Sequence, residues 1–470
     1  MTDTPNQMSP RAAWMLILAA AAIMMITMGA RQTMGLFVSP LNTSTGLGIV
    51  TISFALAIGQ LVWGIAQPVF GAVADKYGSV KVIILGGVML ALGTAATPFM
   101  HSQAGLMFTI GLLTAAGAGA GSFSILIGAT SQRLPAQRRS FASGFVNAGG
   151  SFGQFVFAPM VQAIISAFGW ISAMLSVAAL TLLTIPLTWP LRRQRGEGAL
   201  TGAAAGAAAG ENAGATADPL ARSNAGSSAS SSAHSATHLT SNSAARSAAG
   251  ATAHSTTVPT PGAQQIAQET MGFQVQRAIR DRSYLLLHAG FFTCGFHIAF
   301  LVTHLPGEVA LCNLPVGVSA SAISLIGLFN IAGSLTVGAL GTRFRMKNLL
   351  AIMYFSRALL IVFYLLAPKT ALTFYIFAAA LGATWLATVP PTVGLVGKLF
   401  GTRYLGTLFG LTMFSHQIGG FLGAWLGGLA FASNGNYLWM WYADIGLALA
   451  AGLLTLPVRE AALQRKVVLA

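Results

Sequence analysis

The chain has 470 residues, of which 54% are hydrophobic and 7% charged, and its formal charge is +15. A water-soluble domain carries about a quarter charged residues, so that class is excluded; the apolar residues fall in blocks of about 20 or more, the length that crosses a hydrocarbon core, and the short alternating segments of a membrane barrel are absent. The basic residues are split among short loops with no patch or reader motif, which argues against a nucleic-acid partner, and the two cysteines, Cys294 and Cys312, have no metal-binding spacing.

Twelve spans are expected, at about 13–38, 48–71, 80–100, 105–131, 140–167, 168–190, 283–306, 318–341, 348–367, 371–396, 404–431 and 436–457. The first is too long for a signal-peptide core and no cleavage-like site comes after it, so it is read as retained. Each is read as helix, because backbone polar groups in lipid must pair within their own segment. The run from 140 to 190 is split near Phe168-Gly169. Between spans six and seven, residues 191–282 open with "LRRQRGEG" and continue in Ala, Ser, Gly and Thr. With no large side chains to bury, this tract is expected to be a disordered tether. Its end, "ETMGFQVQRAIRDRSY", regains bulk and charge and is expected to form a short interfacial helix. The implied fold class is an all-α membrane protein, with twelve transmembrane helices in two six-helix halves, 1–190 and 283–470, joined by the 191–282 linker.

Placing both termini in the cytoplasm puts 22 of the 25 Lys and Arg residues on that side, as the positive-inside rule requires. The halves also look related. "GAVADKYGSVK" (71–81) comes after span two and "GALGTRFRMK" (338–347) after span eight, with Gly71 and Gly338 267 positions apart. "SGFVNAGGSFG" in span five resembles "FGLTMFSHQIGG" in span eleven, with Gly153 and Gly419 266 apart. Two places with nearly the same offset indicate a duplicated unit, a transporter architecture in which substrate binds between the halves.

Gly71, Asp75, Lys76 and Gly78, followed by Lys81, resemble the loop 2–3 signature of the major facilitator superfamily. The resemblance implies a loop that governs closure of the cytoplasmic side. Gly71 is expected to let two helices approach closely, Gly78 to permit the turn, and Asp75 to sit favourably at a helix N-terminus. The alternative is that Lys76 and Lys81 only set topology. In the second copy Thr342 replaces the acid beside Arg343, so the gate is expected to be asymmetric. "RRSFASGFVNAGG" (138–150), with Arg138 and Arg139, is similar to a signature of the monocarboxylate transporter family and its bacterial relatives, including oxalate:formate antiporters. "GARQTMGLF" in span one is similar to the same family's segment with a basic residue, here Arg31. Span eight departs: Asn330 and Ser334 stand where many members place an acid and an arginine. That resemblance implies an ion pair for carboxylate binding and proton coupling, which this chain lacks.

Polar residues inside spans are costly and are therefore pathway candidates. Arg31 either binds an anion bidentately or snorkels outward. His297 and His304, seven apart, share a helix face and are proton-coupling candidates, against a structural role. No carboxylate or cysteine completes a metal set around them. Asn147 and Gln154 in span five, Asn330 in span eight, and His416 and Gln417 in span eleven either hydrogen-bond substrate or tie helices together. Arg357 either faces inward or snorkels. Asp444, flanked by Trp439 and Trp441, is either a coupling acid or wetted in an interfacial belt. No phosphate loop, nucleophile–base pair or cofactor motif is present, so no catalysis and no cofactor are expected. The expectation is a monomeric secondary transporter of a small organic anion, coupled to protons or a counter-anion, in a bacterial inner membrane. The rival readings are an exporter of amphipathic or cationic compounds on the same fold, and a non-transporting receptor.

Overall fold

Residues 9–131, 133–134, 136–192, 271–341, 343–401 and 404–460 are described by the computed structural model; the expected tether, apart from its last segment, lies outside them. The apolar runs form helices throughout. Span one is Pro10–Gln32, continued by a 3₁₀ turn at Met34–Phe37 and a short helix Val38–Thr45. Spans two and three are Ile49–Tyr77 and Ser79–Ala96. Span four is segmented, with Gln103–Leu106, a wide π-type stretch Met107–Thr114, Ala115–Ala120 and Phe123–Ser131. Spans five and six lie in Ala136–Leu182 and part at Gly169, whose φ of 81° and ψ of 165° end one helix and start the next. The sequence placed that boundary correctly. Spans seven, eight and nine are Arg282–Leu311, Val316–Leu340 and Met346–Leu366. Span ten is split into Ala371–Thr384 and Val389–Phe400, and spans eleven and twelve are Leu405–Asn434 and Leu438–Thr455. Ten segments among the described residues are long and apolar enough to cross a membrane; one of them, Ala142–Leu191, holds both spans five and six, and the thirty-residue helix Leu405–Asn434 completes twelve.

Two expected continuous helices are broken, each for a local reason. In span ten, Pro390 and Pro391 open the second piece. They offer no amide hydrogens, and their rings collide with carbonyls four residues back, so residues 385–388 unwind. In span four the glycine-rich run ends at Gly121, whose carbonyl accepts a hydrogen bond of 3.2 Å from Thr27 Oγ1 in span one. The tether's end does form a helix, Met271–Ile279. Gln274 anchors it through a 2.9 Å bond to the Phe400 carbonyl, while Met271, Phe273 and Ile279 stay exposed.

The repeat is visible in packing as well as in sequence. A methyl group on Gly153 would collide with the Met25 carbonyl, and one on Gly419 with the Phe292 carbonyl. The glycines are 266 positions apart and their partners 267, so spans one and five repeat the contact of spans seven and eleven. Gly29 and Gly295, also 266 apart, sit in the same seams, the first against Phe157 and the second against the His416 carbonyl. Small residues bring helix backbones together where lipid gives no hydrophobic drive for association. Gly71 is not one of these contacts: a Cβ there meets nothing within 4 Å. Gly78, at φ 94°, makes the expected turn.

The halves touch along spans two with eleven and five with eight. Phe54 packs on Phe421 and Trp425 at ring separations of 5.9 and 5.4 Å, Gly428 lies against Ser53, and Gly64 against Gln417. Ser324 Oγ donates to the Phe155 carbonyl at 2.8 Å, and Gly327 abuts the Ser151 carbonyl. Span one's 3₁₀ turn adds Gly35 against the Val302 carbonyl. These contacts run from the helix midpoints to the end opposite the 71–81 loop.

At the loop end, the segment after span twelve stitches the second half together. Lys347 Nζ donates to the Leu456 carbonyl at 2.8 Å, Arg459 pairs with Asp281, and Glu460 accepts from Lys398 Nζ at 2.7 Å and the Met346 amide at 3.0 Å. Burial alone would push the Glu460 carboxyl up, but the Lys398 hydrogen bond, the Met346 amide and the Lys398 charge together hold it below the usual carboxylate range. A depressed carboxylate stabilises above its unfolded pKa, and the contribution is lost as pH falls through the folded value. Glu460→Gln is therefore expected to lower stability at neutral pH by up to about 1 kcal/mol, a ceiling set by the exposure of Lys398, with the difference vanishing in acid. Thermal unfolding of the detergent-purified pair at pH values above and below the carboxylate range checks this.

Candidate functional site: a cavity between the halves and a buried polar cluster

Arg31 lies in the last turn of span one's main helix, which Thr33 closes by donating to the Gly29 and Ala30 carbonyls at 3.1 Å. The side chain crosses to span two, where it donates to Gln60 Oε1 and its guanidinium carbon stands 4.2 Å above the Trp63 ring. No carboxylate among the described residues pairs with it. It lines a cavity of about 40 Å³ together with Gln32, Gln60, Thr114, Ile298 and Thr303, drawn from spans one, two, four and seven. Gln32 Oε1 and Thr114 Oγ1 have no hydrogen-bond partner. The volume suits roughly three waters, so in this state the space is nearly closed. Chemically it offers one fixed positive charge held over an indole, with neutral polar groups around it.

A second polar cluster surrounds the break in span ten. Arg357 is fully buried, with Nη2 donating to the Thr384 and Trp385 carbonyls at 3.0 and 3.3 Å. These are the carbonyls that the break deprives of helical partners. The sulfur of Cys294 lies 3.8 Å from the Trp385 carbonyl and 3.4 Å from Thr388 Oγ1. Asn330 Oδ1 accepts from the Leu386 amide at 2.9 Å and from Ser334 Oγ at 3.3 Å, and Asn330 Nδ2 donates to Ser151 Oγ at 2.8 Å. His297 Nδ1 pairs with Asp444 Oδ2, both residues being 0% exposed, and the His297 ring meets Trp385 edge-on at 5.7 Å.

This placement bears on three residues whose readings the sequence left open. Arg357 does not snorkel. Asp444 is not wetted, because Trp441 is itself buried against Phe300 and Tyr364 rather than placed in an interfacial belt. His304, despite sharing a face with His297, is engaged elsewhere, with Nε2 on the Ala424 carbonyl at 2.7 Å. Of the proposed substrate contacts, Arg31 lines the cavity, whereas Asn147, Gln154, His297, Asn330, His416 and Gln417 are not among its lining residues. Asn330 ties spans five, eight and ten together. Gln154 and Gln417 are buried at the seams between halves, each with one unpartnered amide atom. His416 accepts from Gln417 at 3.2 Å, keeps Nε2 unpartnered, and lies within electrostatic reach of both Arg31 and Arg357. At the loop end Lys76 is exposed over the Tyr77 ring at 5.2 Å, and Lys81 and Arg343 are exposed. The side chains of Asp75, Arg138 and Arg139 lie outside the described part of the structure. The span-ten break was absent from the sequence reading, although the Pro390-Pro391 pair signalled it.

Comparison with known proteins agrees with this architecture. A solved D-xylose-proton symporter superimposes with a TM-score of 0.68 over 95% of this chain and 98% of that one, at 13% identity, which shows a shared fold. Monocarboxylate transporter 13 of Rattus norvegicus is 31% identical over 169 residues, covering 36% of this chain and 39% of the relative. The oxalate:formate antiporter of Oxalobacter formigenes is 26% identical over 156 residues, covering 33% and 37%. The chain thus spans about two fifths of the length of the curated relatives it matches. The family model of the Major Facilitator Superfamily matches residues 16–424. The chain belongs to that superfamily of transporters and is a multi-pass membrane protein.

Proposed function

We propose that the protein is a secondary transporter of a small organic anion, a mono- or dicarboxylate, which works by alternating access and is coupled to a proton or a counter-anion. The observation that carries the reading is Arg31, a cation in the cavity between the halves with no carboxylate partner among the described residues. Its guanidinium matches a carboxylate in two-pronged geometry. A cavity with a fixed cation and no acid disfavours cationic cargo. The relatives named for monocarboxylate transport and for oxalate:formate exchange support the substrate class. With the basic end in the cytoplasm, the contacts between halves lie on the outer side, and the shape is that of a state closed outward. The 71–81 loop, with Asp75, Lys76 and Lys81, and its partners Arg138, Arg139 and Arg343 then act in the opposite state, when the cytoplasmic ends come together.

Thermal stabilisation of the purified protein by formate, L-lactate and oxalate, with uptake of the radiolabelled compounds into proteoliposomes, tests the reading. Arg31→Lys keeps the charge and loses the planar fork, so it is expected to bind more weakly. Arg31→Ala is expected to lose roughly tenfold to more than a hundredfold in affinity, the worth of a charge-assisted hydrogen bond. Wild-type affinity in a folded Arg31→Ala protein would remove the anion reading's main support.

A further inference from the structure

The His297–Asp444 pair joins spans seven and twelve with both side chains fully buried. One hydrogen bond joins them, yet His297 Nε2 and Asp444 Oδ1 have no partner among the described residues. Buried polar atoms in a purely structural contact are nearly always paired. With Nδ1–H donating to the carboxylate, the free Nε2 lone pair is an open seat for a proton.

The charges facing the pair determine the cost of filling that seat. Span nine contributes Arg357 and span ten the neutral Trp385, while Tyr354 on span nine, and His416 on span eleven, lie within electrostatic reach of Arg357. Arg357 keeps Nε and Nη1 unpartnered and has no ion pair among the described residues. With a neutral imidazole, the Asp444 carboxylate and the Arg357 guanidinium balance. A proton added at Nε2 leaves one net positive charge in a buried region, a cost that an anion arriving nearby lowers.

The pair is also wired to the moving parts. The His297 ring rests on Trp385 in the span-ten break, the next amide, Leu386, is held by Asn330, and Asn330 reaches Ser151 in the other half. Each link is a direct contact, and the last crosses the seam that must open and close.

We infer that the His297–Asp444 pair is where this transporter loads and releases its coupling proton, and that Arg357 and the span-ten break carry the proton's presence to the Asn330–Ser151 contact between the halves. The inference rests on the anion reading for its driving force, because the incoming anion offsets the added charge. A hydronium ion that reaches the pair in an opened state gives its proton to Nε2 and leaves as water, giving an imidazolium whose Nδ1–H stays on Asp444 Oδ2; on the other side Nε2 returns the proton to a water, which leaves as hydronium.

Two measurements separate this inference from the anion reading. The first needs no substrate. Nitrogen NMR of histidine-labelled protein, with the His297 signals identified by their loss in His297→Gln, is expected to show that imidazole changing from neutral to protonated between about pH 9 and about pH 4, with a midpoint moved by about one unit or more in Asp444→Asn. An imidazole that stays in one form across that range overturns the inference, whatever the substrate is. The second is uptake of radiolabelled formate, L-lactate and oxalate. A gradient of about one pH unit is expected to raise wild-type accumulation by up to about tenfold. The ratio of gradient-driven to gradient-free accumulation should fall towards one in Asp444→Asn and His297→Gln and be restored by Asp444→Glu. A wild-type ratio in both variants overturns the inference. Should none of the three anions be transported, the anion reading fails and the NMR titration alone decides the proton site.

Discussion

Alanine at Gly419 is expected to part spans seven and eleven. The added methyl would fall on the Phe292 carbonyl, a backbone atom that no rotamer change can move. Gly423 meets the Phe296 carbonyl one turn on, and Gly295 meets the His416 carbonyl from the other side, so the seam has no slack along three contacts. Overpacking in a well-filled core costs about 1–3 kcal/mol, and more where the obstacle is backbone. Valine at the same position should abolish recovery of folded protein. Gly153→Ala, the repeat-related position against Met25, is expected to behave alike, while Gly71→Ala, which meets open space, should stay within about 0.5 kcal/mol of wild type. Fluorescence-detected size exclusion and thermal unfolding of the purified variants distinguish these outcomes. Equal stability of Gly419→Ala and Gly71→Ala would contradict the packing described.

Removing the buried guanidinium should be the most damaging single polar change. Arg357→Met leaves the Thr384 carbonyl unpaired at the span-ten break, at about 1–3 kcal/mol, and the Trp385 carbonyl with only the weak Cys294 thiol. It also strips the Asp444 carboxylate of its balancing cation. Arg357→Lys restores the charge but cannot reproduce the two-carbonyl grip, and is expected to be intermediate. Adding Asp444→Asn to Arg357→Met should recover part of the loss, because the uncompensated carboxylate goes with it. The double-mutant cycle is expected to give a coupling of about 1–3 kcal/mol. Additive losses in unfolding midpoints would show that the two charges do not sense each other.

The twelve spans were legible because hydrocarbon thickness imposes a length on every apolar run, and the split at Gly169 because a glycine interrupts one run too long for a single crossing. The duplication was legible from offsets alone. What the sequence withheld was direction. A lone Arg357 in an apolar helix reads the same whether it faces lipid, water or a neighbour's carbonyls, and only the unwound 385–388 segment gives it a reason to face inward. Pro390-Pro391 could have announced that segment, since two prolines mid-span cannot continue a helix. Asp444 misled for the opposite reason. Tryptophans beside an acid suggest a wet interface, but Trp441 packs into the second half's aromatic core. The packing glycines were not singled out either: in this state the close contacts fall at Gly153 and Gly419, while Gly71 meets open space.

The matched seams of spans one and seven place Gly29 opposite Gly295, and the same offset of 266 places Arg31 opposite His297. If His297 holds the coupling proton as inferred, one repeated position carries two kinds of cation. In the first half it is permanent, since a guanidinium does not deprotonate in proteins; in the second it is conditional, since an imidazole carries charge only when it holds a proton. A duplicated helix would supply both an anchor for the cargo and a valve for the ion that drives it, at related depths and on related faces, and divergence at a single aligned residue would suffice to separate the two tasks.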